Sequence, residues 1–285
     1  MPFDLARYDP PHEPPSGQTT EYAGVNFFQY LRLKSRASRF LRRSEPDECR
    51  FVCDVVQSGQ NVVDIGAHKG AYTYWLSRAV GPAGHVYAFE PQPQLAQYLR
   101  GFAARRGHRH VAICPVALSD SARRQQLSIP KYTGWATLEP CADETDCHHI
   151  DVQVATLDEH LASIGAARPI AFIKCDVELH EAAVLRGSQQ VLAADSPMLL
   201  VESRPVSQLP AAENPTFQYL NDLGYAGYFF AGGELIPLAE FSVARFGERS
   251  AGIQNFVFLH RQRTRLVFPR RPYAVEWLPL RRSAA

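Results

Sequence analysis

No stretch of this 285-residue chain is apolar over the roughly 20 residues that a helix needs to cross a bilayer. Stable membrane insertion is therefore not expected. Nor is there a surplus of charge of either sign: the formal net charge is +1, so no overall field points to nucleic acid as a partner. Cysteine is sparse. The six residues Cys49, Cys53, Cys114, Cys141, Cys147 and Cys175 contain no Cys-x-x-Cys pair, which argues against both a disulfide framework and a structural zinc site. Cys114 and Cys175 sit in apolar runs and read as small buried hydrophobes. The N-terminal MPFDLARYDPPHEPPSG carries acids and prolines and no apolar core, so a signal peptide is not expected and a cytoplasmic location is. No internal repeat is visible.

What is present divides the chain into four parts. Residues 1–20 are rich in proline and polar side chains and are expected to be disordered. Residues 21–59 form an N-terminal helical segment. Within it, Phe27, Phe28, Leu31, Leu33 and Phe40 alternate with Arg32, Lys34, Arg36, Arg39, Arg42 and Arg43, the pattern of a packing or lid helix with a solvated basic face, or of one that touches a membrane surface or an anionic partner. A second helix is expected over 46–56, with Pro46 in its first turn. From 60 to 260, short apolar runs at 62–65, 85–89, 110–116, 170–174 and 198–201 alternate with helical stretches at 71–80, 93–105 and 181–193. That rhythm predicts an α/β fold, a largely parallel sheet with helices on both faces. Runs at 225–230, 234–237 and 252–260 predict antiparallel strands closing one edge. The rhythm breaks between 123 and 154, where short strands surround a Gly134–Trp135 turn, and an insertion there would lie over the carboxyl ends of the sheet. The acids and histidines Asp143, Glu144, Asp146, Cys147, His148 and His149 within it lack zinc spacing and read as a polar surface loop. Residues 261–285 are basic and read as a loosely held tail.

Four pieces carry chemistry. In Asp64–Ile65–Gly66–Ala67–His68–Lys69–Gly70 an apolar strand ends in an acid and turns through a glycine-bounded loop into a helix. The loop has no GxxxxGK followed by Ser or Thr, so it is not a P-loop, and it lacks the middle glycine through which a GxGxxG turn approaches pyrophosphate. It suits a ligand with a carboxylate and a positive charge but no phosphate, with helix-start N–H groups for the carboxylate and Asp64 to balance the cation. Glu90 ends the second strand, where it can accept both hydroxyls of a ribose, or serve as a first-turn acid for the following helix. Ala117 and Leu118 follow the third strand, where they can meet an adenine edge and face. Asp176, Glu178, His180 and Glu181 follow the fourth. Asp176 or Glu178 can hydrogen-bond an acceptor hydroxyl or take its proton, and His180 is an alternative base. A divalent ion bridging Asp176 and Glu202 is a further arrangement these acids permit, although no metal is needed for the chemistry.

Taken together, VVDIGAHKGAYT, VYAFEP, VALSD, GWATL, VATLDEHL, FIKCDVELHEAAVLRG and PMLLVE resemble the FkbM family of methyltransferases, in consistent order from Asn61 to Glu202. The resemblance implies the class I methyltransferase fold, Rossmann-like, with seven strands of which the last is antiparallel. It also implies S-adenosylmethionine as methyl donor and a small hydroxylated acceptor, such as a sugar or polyketide. Asp64, Gly66, Gly70 and Thr73 match the family's cofactor loop, with Ala67 and His68 inside it, Glu90 its ribose acid, and Asp176, Glu178 and Glu181 its fourth-strand acids. One departure stands out. The family's DVEGxE has glycine where this chain has Leu179, which is expected to fill space at the mouth of the acceptor site. An inactive, donor-binding scaffold is therefore the alternative to an O-methyltransferase.

Overall fold

Val62 and Val63, adjacent in the first strand, belong to separate apolar clusters on opposite faces of one sheet. Successive strand side chains point to opposite faces, so a strand apolar throughout must be covered on both sides. That is the architecture seen in the computed structural model of the chain, which describes residues 27–105, 108–131, 133–141, 147–203, 214–241 and 253–278. The expectations for residues 1–20, for the start of the first helix, and for Asp143, Glu144 and Asp146 lie outside the described residues.

The chain opens with helix α1 (Phe27–Arg39), which runs into a π-helical turn (Phe40–Ser44), and α2 (Pro46–Val55). The sheet core follows as β1 (Asn61–Ile65), α3 (Ala71–Val80), β2 (His85–Phe89), α4 (Pro93–Ala103) and β3 (Val111–Cys114). Then come β4 (Ala117–Leu118), β5 (Arg123–Pro130) and β6 (Cys147–Ala155), a three-stranded sheet of order β4–β6–β5. Helix α5 (Leu157–Ser163), β7 (Ile170–Cys175), α6 (Glu181–Arg186), α7 (Gln189–Asp195) and β8 (Met198–Glu202) return the chain to the core. It ends with α8 (Pro215–Asp222), β9 (Tyr225–Ala231), β10 (Glu234–Pro237), β11 (Asn255–His260), β12 (Thr264–Phe268) and β13 (Ala274–Trp277).

The main sheet has the order β10–β9–β11–β8–β7–β1–β2–β3. β1 pairs in parallel with both β2 and β7, and β11 runs antiparallel between β8 and β9. This is the class I methyltransferase fold with one correction: the sheet has eight strands rather than seven, because β10 folds back on β9 as an edge hairpin through Gly232 and Gly233. The chain leaves β1 towards β2 and β3, then crosses to β7 on the other side. The crevice above β1 is thus the topological switch point, where open α/β sheets bind ligands.

Two expectations for the termini change. As far as residue 278 the tail is not loosely held: β12 and β13 form a hairpin, and buried Tyr273 stacks edge-on against Phe51 and Phe230 at 5.7 and 5.8 Å. Its Arg265 and Arg270 pair with Glu276 and Glu234, so the basic residues neutralise local acids. In α1, Phe28 and Leu31 are exposed, and the docked face is instead Leu33 and Ala37, both buried. Trp75 of α3 donates to the Ala37 carbonyl at 2.9 Å, and Tyr98 of α4 to the Gln29 carbonyl at 3.1 Å, tying α1 to the middle of both helices. Among the described residues, no helix is long and apolar enough to cross a membrane.

Candidate active site

The loop after β1 is stitched to both neighbouring strands. The Gly66 and Ala67 N–H groups both donate to the Phe89 carbonyl, at 3.1 and 3.0 Å, and Asp176 N–H donates to the Ile65 carbonyl at 3.1 Å. Gly66 has φ +77, and a Cβ there would lie 1.8 Å from the Asp176 carbonyl oxygen, so the β1 and β7 backbones meet at a point only glycine can occupy. Gly70 is the N-cap of α3 and donates to the Ala67 carbonyl at 2.8 Å. Thr73, one turn into α3, donates to Asp64 Oδ2 at 2.6 Å. Asp64 is fully buried, and its other oxygen, Oδ1, has no hydrogen-bond partner in the protein.

Glu90 has both roles that its position allows. Its Oε2 accepts from His68 N–H at 2.7 Å and its Oε1 from Gln92 N–H at 2.9 Å, so it shapes the β1 loop and starts the chain towards α4. Each oxygen keeps a second lone pair for a ligand hydroxyl. Burial pushes its carboxyl up to about 7, against the pull of the two backbone N–H groups. His68 is driven the other way, to about 4, by burial and by the nearby cations Lys69 and Arg36.

A cleft of about 640 Å³ opens beside Glu90. Ile65, Gly66 and Phe89 border one side, Val116, Ala117 and Leu118 another, and Asp176, Val177 and His180 close the β7 end. The fourth wall is the insertion, through Leu127, Gly134, Ala136, Thr137 and Leu138. Ala117 and Leu118 are buried in β4 and pair with Val154 and Ala155, which ties the cleft floor to the insertion sheet. From behind, Gly187 presses on the same floor: a Cβ on it would come within 2.0 Å of the Ser119 carbonyl.

The crest after β7 differs from its sequence reading in two respects. Glu178 and Leu179 both take left-handed backbone, with φ +53 and +78, and Leu179 is 60% exposed outside the cleft lining. Leu179 therefore does not fill the acceptor mouth. Glycine suits this position because of its backbone angle, and leucine there costs about 1–2 kcal/mol of strain. His180, expected as an alternative base, has both ring nitrogens engaged, Nδ1 with Glu139 Oε1 at 2.6 Å and Nε2 with Ser119 Oγ at 2.9 Å. That arrangement makes it a brace between the insertion and the cleft floor.

The acids divide by what they face. Asp176 lines the cleft, and its Oδ2 accepts from Lys174 Nζ at 2.7 Å. Glu178 holds the insertion through its carbonyl, which accepts from Thr137 Oγ1 at 2.7 Å. Asp176, Glu178 and Glu202 each offer a carboxylate oxygen within 4.8 Å of the others. Glu181 turns back to accept from Val177 N–H at 3.1 Å, and burial lifts its carboxyl to about 7. An acid raised in the folded state stabilises fully below its unfolded value near 4.5 and loses that contribution as pH climbs through 7. Glu181→Gln keeps an acceptor for Val177 and is expected to gain on the natural protein by at most about 3 kcal/mol across this range. Thermal melts of both proteins at pH 4.5 and 8 measure it; a Tm difference that does not move with pH counts against a buried, ionisable Glu181.

Lys174 has a role that the motif reading did not single out. It is 3% exposed, next to Asp176, and its Nζ lies 5.0 Å from the centre of the Tyr72 ring. Burial alone would lower its pKa, but the Asp176 and Asp64 carboxylates hold it above the ordinary lysine range, so it stays charged. The signal was a lone lysine in the apolar strand IAFIKC, buried along its whole length. Glu45, ahead of α2, joins the same buried network, accepting from Tyr72 OH at 2.6 Å.

Residues 64–226 match the family model of the Methyltransferase FkbM domain. Among characterised proteins, 55 residues are 42% identical to a protein-L-isoaspartate O-methyltransferase of Aeropyrum pernix, covering 19% of this chain and 21% of that protein. A stretch of 72 residues is 31% identical to the enzyme of that name from Methanothrix thermoacetophila, covering 25% and 34%. The chain thus spans about a fifth and a third of these relatives. Of solved structures, methyltransferase FkbM from Methylobacillus flagellatus is similar at 13% identity and a TM-score of 0.45, over 83% of this chain and 60% of that one.

Proposed function

The chain belongs to the FkbM methyltransferase family, whose donor is S-adenosylmethionine, and we propose that it methylates a hydroxyl oxygen of a small metabolite. The observation that carries this reading is the site above β1: a fully buried acid with an unpartnered oxygen, Asp64 Oδ1, behind the β1 loop, and the Glu90 carboxylate in the lining of the adjoining cleft. A buried carboxylate oxygen without a partner is costly unless a ligand completes it, and a cationic ligand bearing ribose hydroxyls completes both ends.

S-adenosylmethionine, when bound, supplies a methyl group already activated by its sulfonium. In this reading Glu90 accepts the ribose hydroxyls and Leu118 and Ala117 flank the adenine. The backbone of Gly66, Ala67, His68 and Gly70 borders the donor, and Thr73 orients Asp64. What remains for the chain is to exclude water, align an acceptor and remove one proton. Asp176 suits that last task. It stands at the cleft where the crest and insertion meet, and the Lys174 ammonium, 2.7 Å from its Oδ2, orients its carboxylate. Glu178 shares the crest, and His180 holds the insertion wall in place. Phe89, Val116, Leu127 and Leu138 supply apolar walls, while His68, Thr137 and Asp176 add polar groups, a mixture that suits a compact hydroxylated acceptor.

Calorimetry with S-adenosylmethionine tests the donor half of the proposal; a folded protein that takes up none at millimolar concentration refutes it. For the acceptor half, Asp176→Asn should bind the donor within about fivefold of the natural protein yet turn over at least about a hundredfold more slowly, the usual scale of a general base. Single-turnover assays with a hydroxylated acceptor panel supply the comparison, and an unimpaired variant removes Asp176 from proton transfer.

A further inference from the structure

A second, smaller cavity of about 360 Å³ lies between the first helical segment and the β1 loop. Its walls are of opposite sign. Arg36 of α1 and Lys69 of the loop line it, both half-buried, and so does fully buried Asp64, whose Oδ1 is unpartnered. Phe40 and Tyr72 add apolar surface. The cavity shares Gly66, His68 and Asp176 with the adenosyl cleft, so one elongated ligand can occupy both.

Arg36 is an unexpected residue at this place. It lies three residues after buried Leu33 and four before Phe40, inside the stripe by which α1 docks rather than on its solvated face. Burial lowers its pKa, and its neighbour Arg39 lowers it further, with Tyr98 opposing. Lys69 is lowered by burial and then by Arg36. Arg36 thus disfavours the charge on Lys69, and an anion beside them favours both charged forms. Lys174, in the same lining, pairs with Asp176 at 2.7 Å.

We infer that Arg36, with Lys69, receives the carboxylate at the amino-acid end of the methyl donor, while Asp64 Oδ1 receives the ammonium, so that α1 is a wall of the donor site. The inference rests on the donor reading above and adds to it a residue from outside the 64–226 domain match. A zwitterionic head satisfies both walls at once, whereas a plain anion would face Asp64 and a plain cation would face Arg36. Arginine can bind a carboxylate through two parallel N–H bonds.

The test compares two ligands of which only one has that end. S-adenosylmethionine carries the amino-acid head; 5′-methylthioadenosine keeps the adenosine and sulfur but lacks it. By calorimetry, Arg36→Gln should bind S-adenosylmethionine about tenfold to a hundredfold more weakly, the range for a lost charge-assisted bond, and 5′-methylthioadenosine as the natural protein does. Arg36→Lys should recover part of the loss. Circular dichroism checks that α1 survives in both variants. Equal S-adenosylmethionine affinity in Arg36→Gln and the natural protein overturns the inference. So does an equal loss for both ligands, which would mean that Arg36 acts through the fold. If the natural protein binds neither ligand, the donor reading fails and the inference with it, a result distinct from either of the others.

Discussion

Replacing Glu90 by alanine is expected to weaken S-adenosylmethionine binding by roughly a thousandfold, since hydrogen bonds to charged groups each contribute about 1.5–3 kcal/mol and two kinds are lost together. The first are those offered to the ribose hydroxyls. The second is the bond from His68 N–H at 2.7 Å, which holds the loop at the left-handed His68 position, φ +47. Glu90→Gln separates them. It keeps one acceptor oxygen and should lose less than alanine does. The same carboxyl titrates near 7 in the ligand-free protein because it is buried. The ionised form is the better acceptor for hydroxyls, so donor binding should release a proton, and affinity should rise by about tenfold from pH 6 to pH 8. Calorimetry in buffers of different ionisation enthalpy counts that proton. Undiminished affinity in Glu90→Ala would remove the ribose assignment, and pH-independent affinity in the natural protein would remove the proton release.

The largest effect on stability is expected from Gly66→Ala. A Cβ would have to share space with the Asp176 carbonyl oxygen 1.8 Å away, in a backbone conformation with φ +77. Neither neighbour can yield cheaply, because Ile65, Gly66 and Asp176 are joined to β2 and β7 by backbone hydrogen bonds. Left-handed strain of about 1–2 kcal/mol adds to overpacking of about 1–3 kcal/mol, so a loss near 4 kcal/mol is the expected outcome. Urea unfolding monitored by tryptophan fluorescence gives the value. A loss below about 1 kcal/mol, the ordinary cost of a single substitution, would mean that the β1 and β7 backbones are not in this contact.

The donor side of the site was legible because its parts are contiguous in the chain. Asp64, Gly66, Gly70 and Thr73 fall within ten residues, and strand-loop-helix geometry brings them together without help from elsewhere. Glu90 was legible for a related reason: β2 lies beside β1, and parallel neighbours end at the same edge. Arg36 and Lys174 were not, since each acquires its role from a partner distant in sequence. Arg36 meets the loop because Leu33 and Ala37 dock α1 on α3, and Lys174 meets Tyr72 and Asp64 across the sheet. At Leu179 the backbone angle is what distinguishes the position, and side-chain size gives no sign of it. Arginines dominate the composition of the tail, whereas Tyr273 anchors it against Phe51.

Gly187 has no chemistry and borders neither cavity. Yet it backs the floor on which Ala117 and Leu118 stand, because only a bare backbone fits against the Ser119 carbonyl. The boundary of the functional surface therefore does not coincide with the boundary of the pocket. In a saturation-mutagenesis map this glycine would group with the donor loop rather than with the helix caps, and inherited constraint at such a position would record a shape that a neighbour must keep.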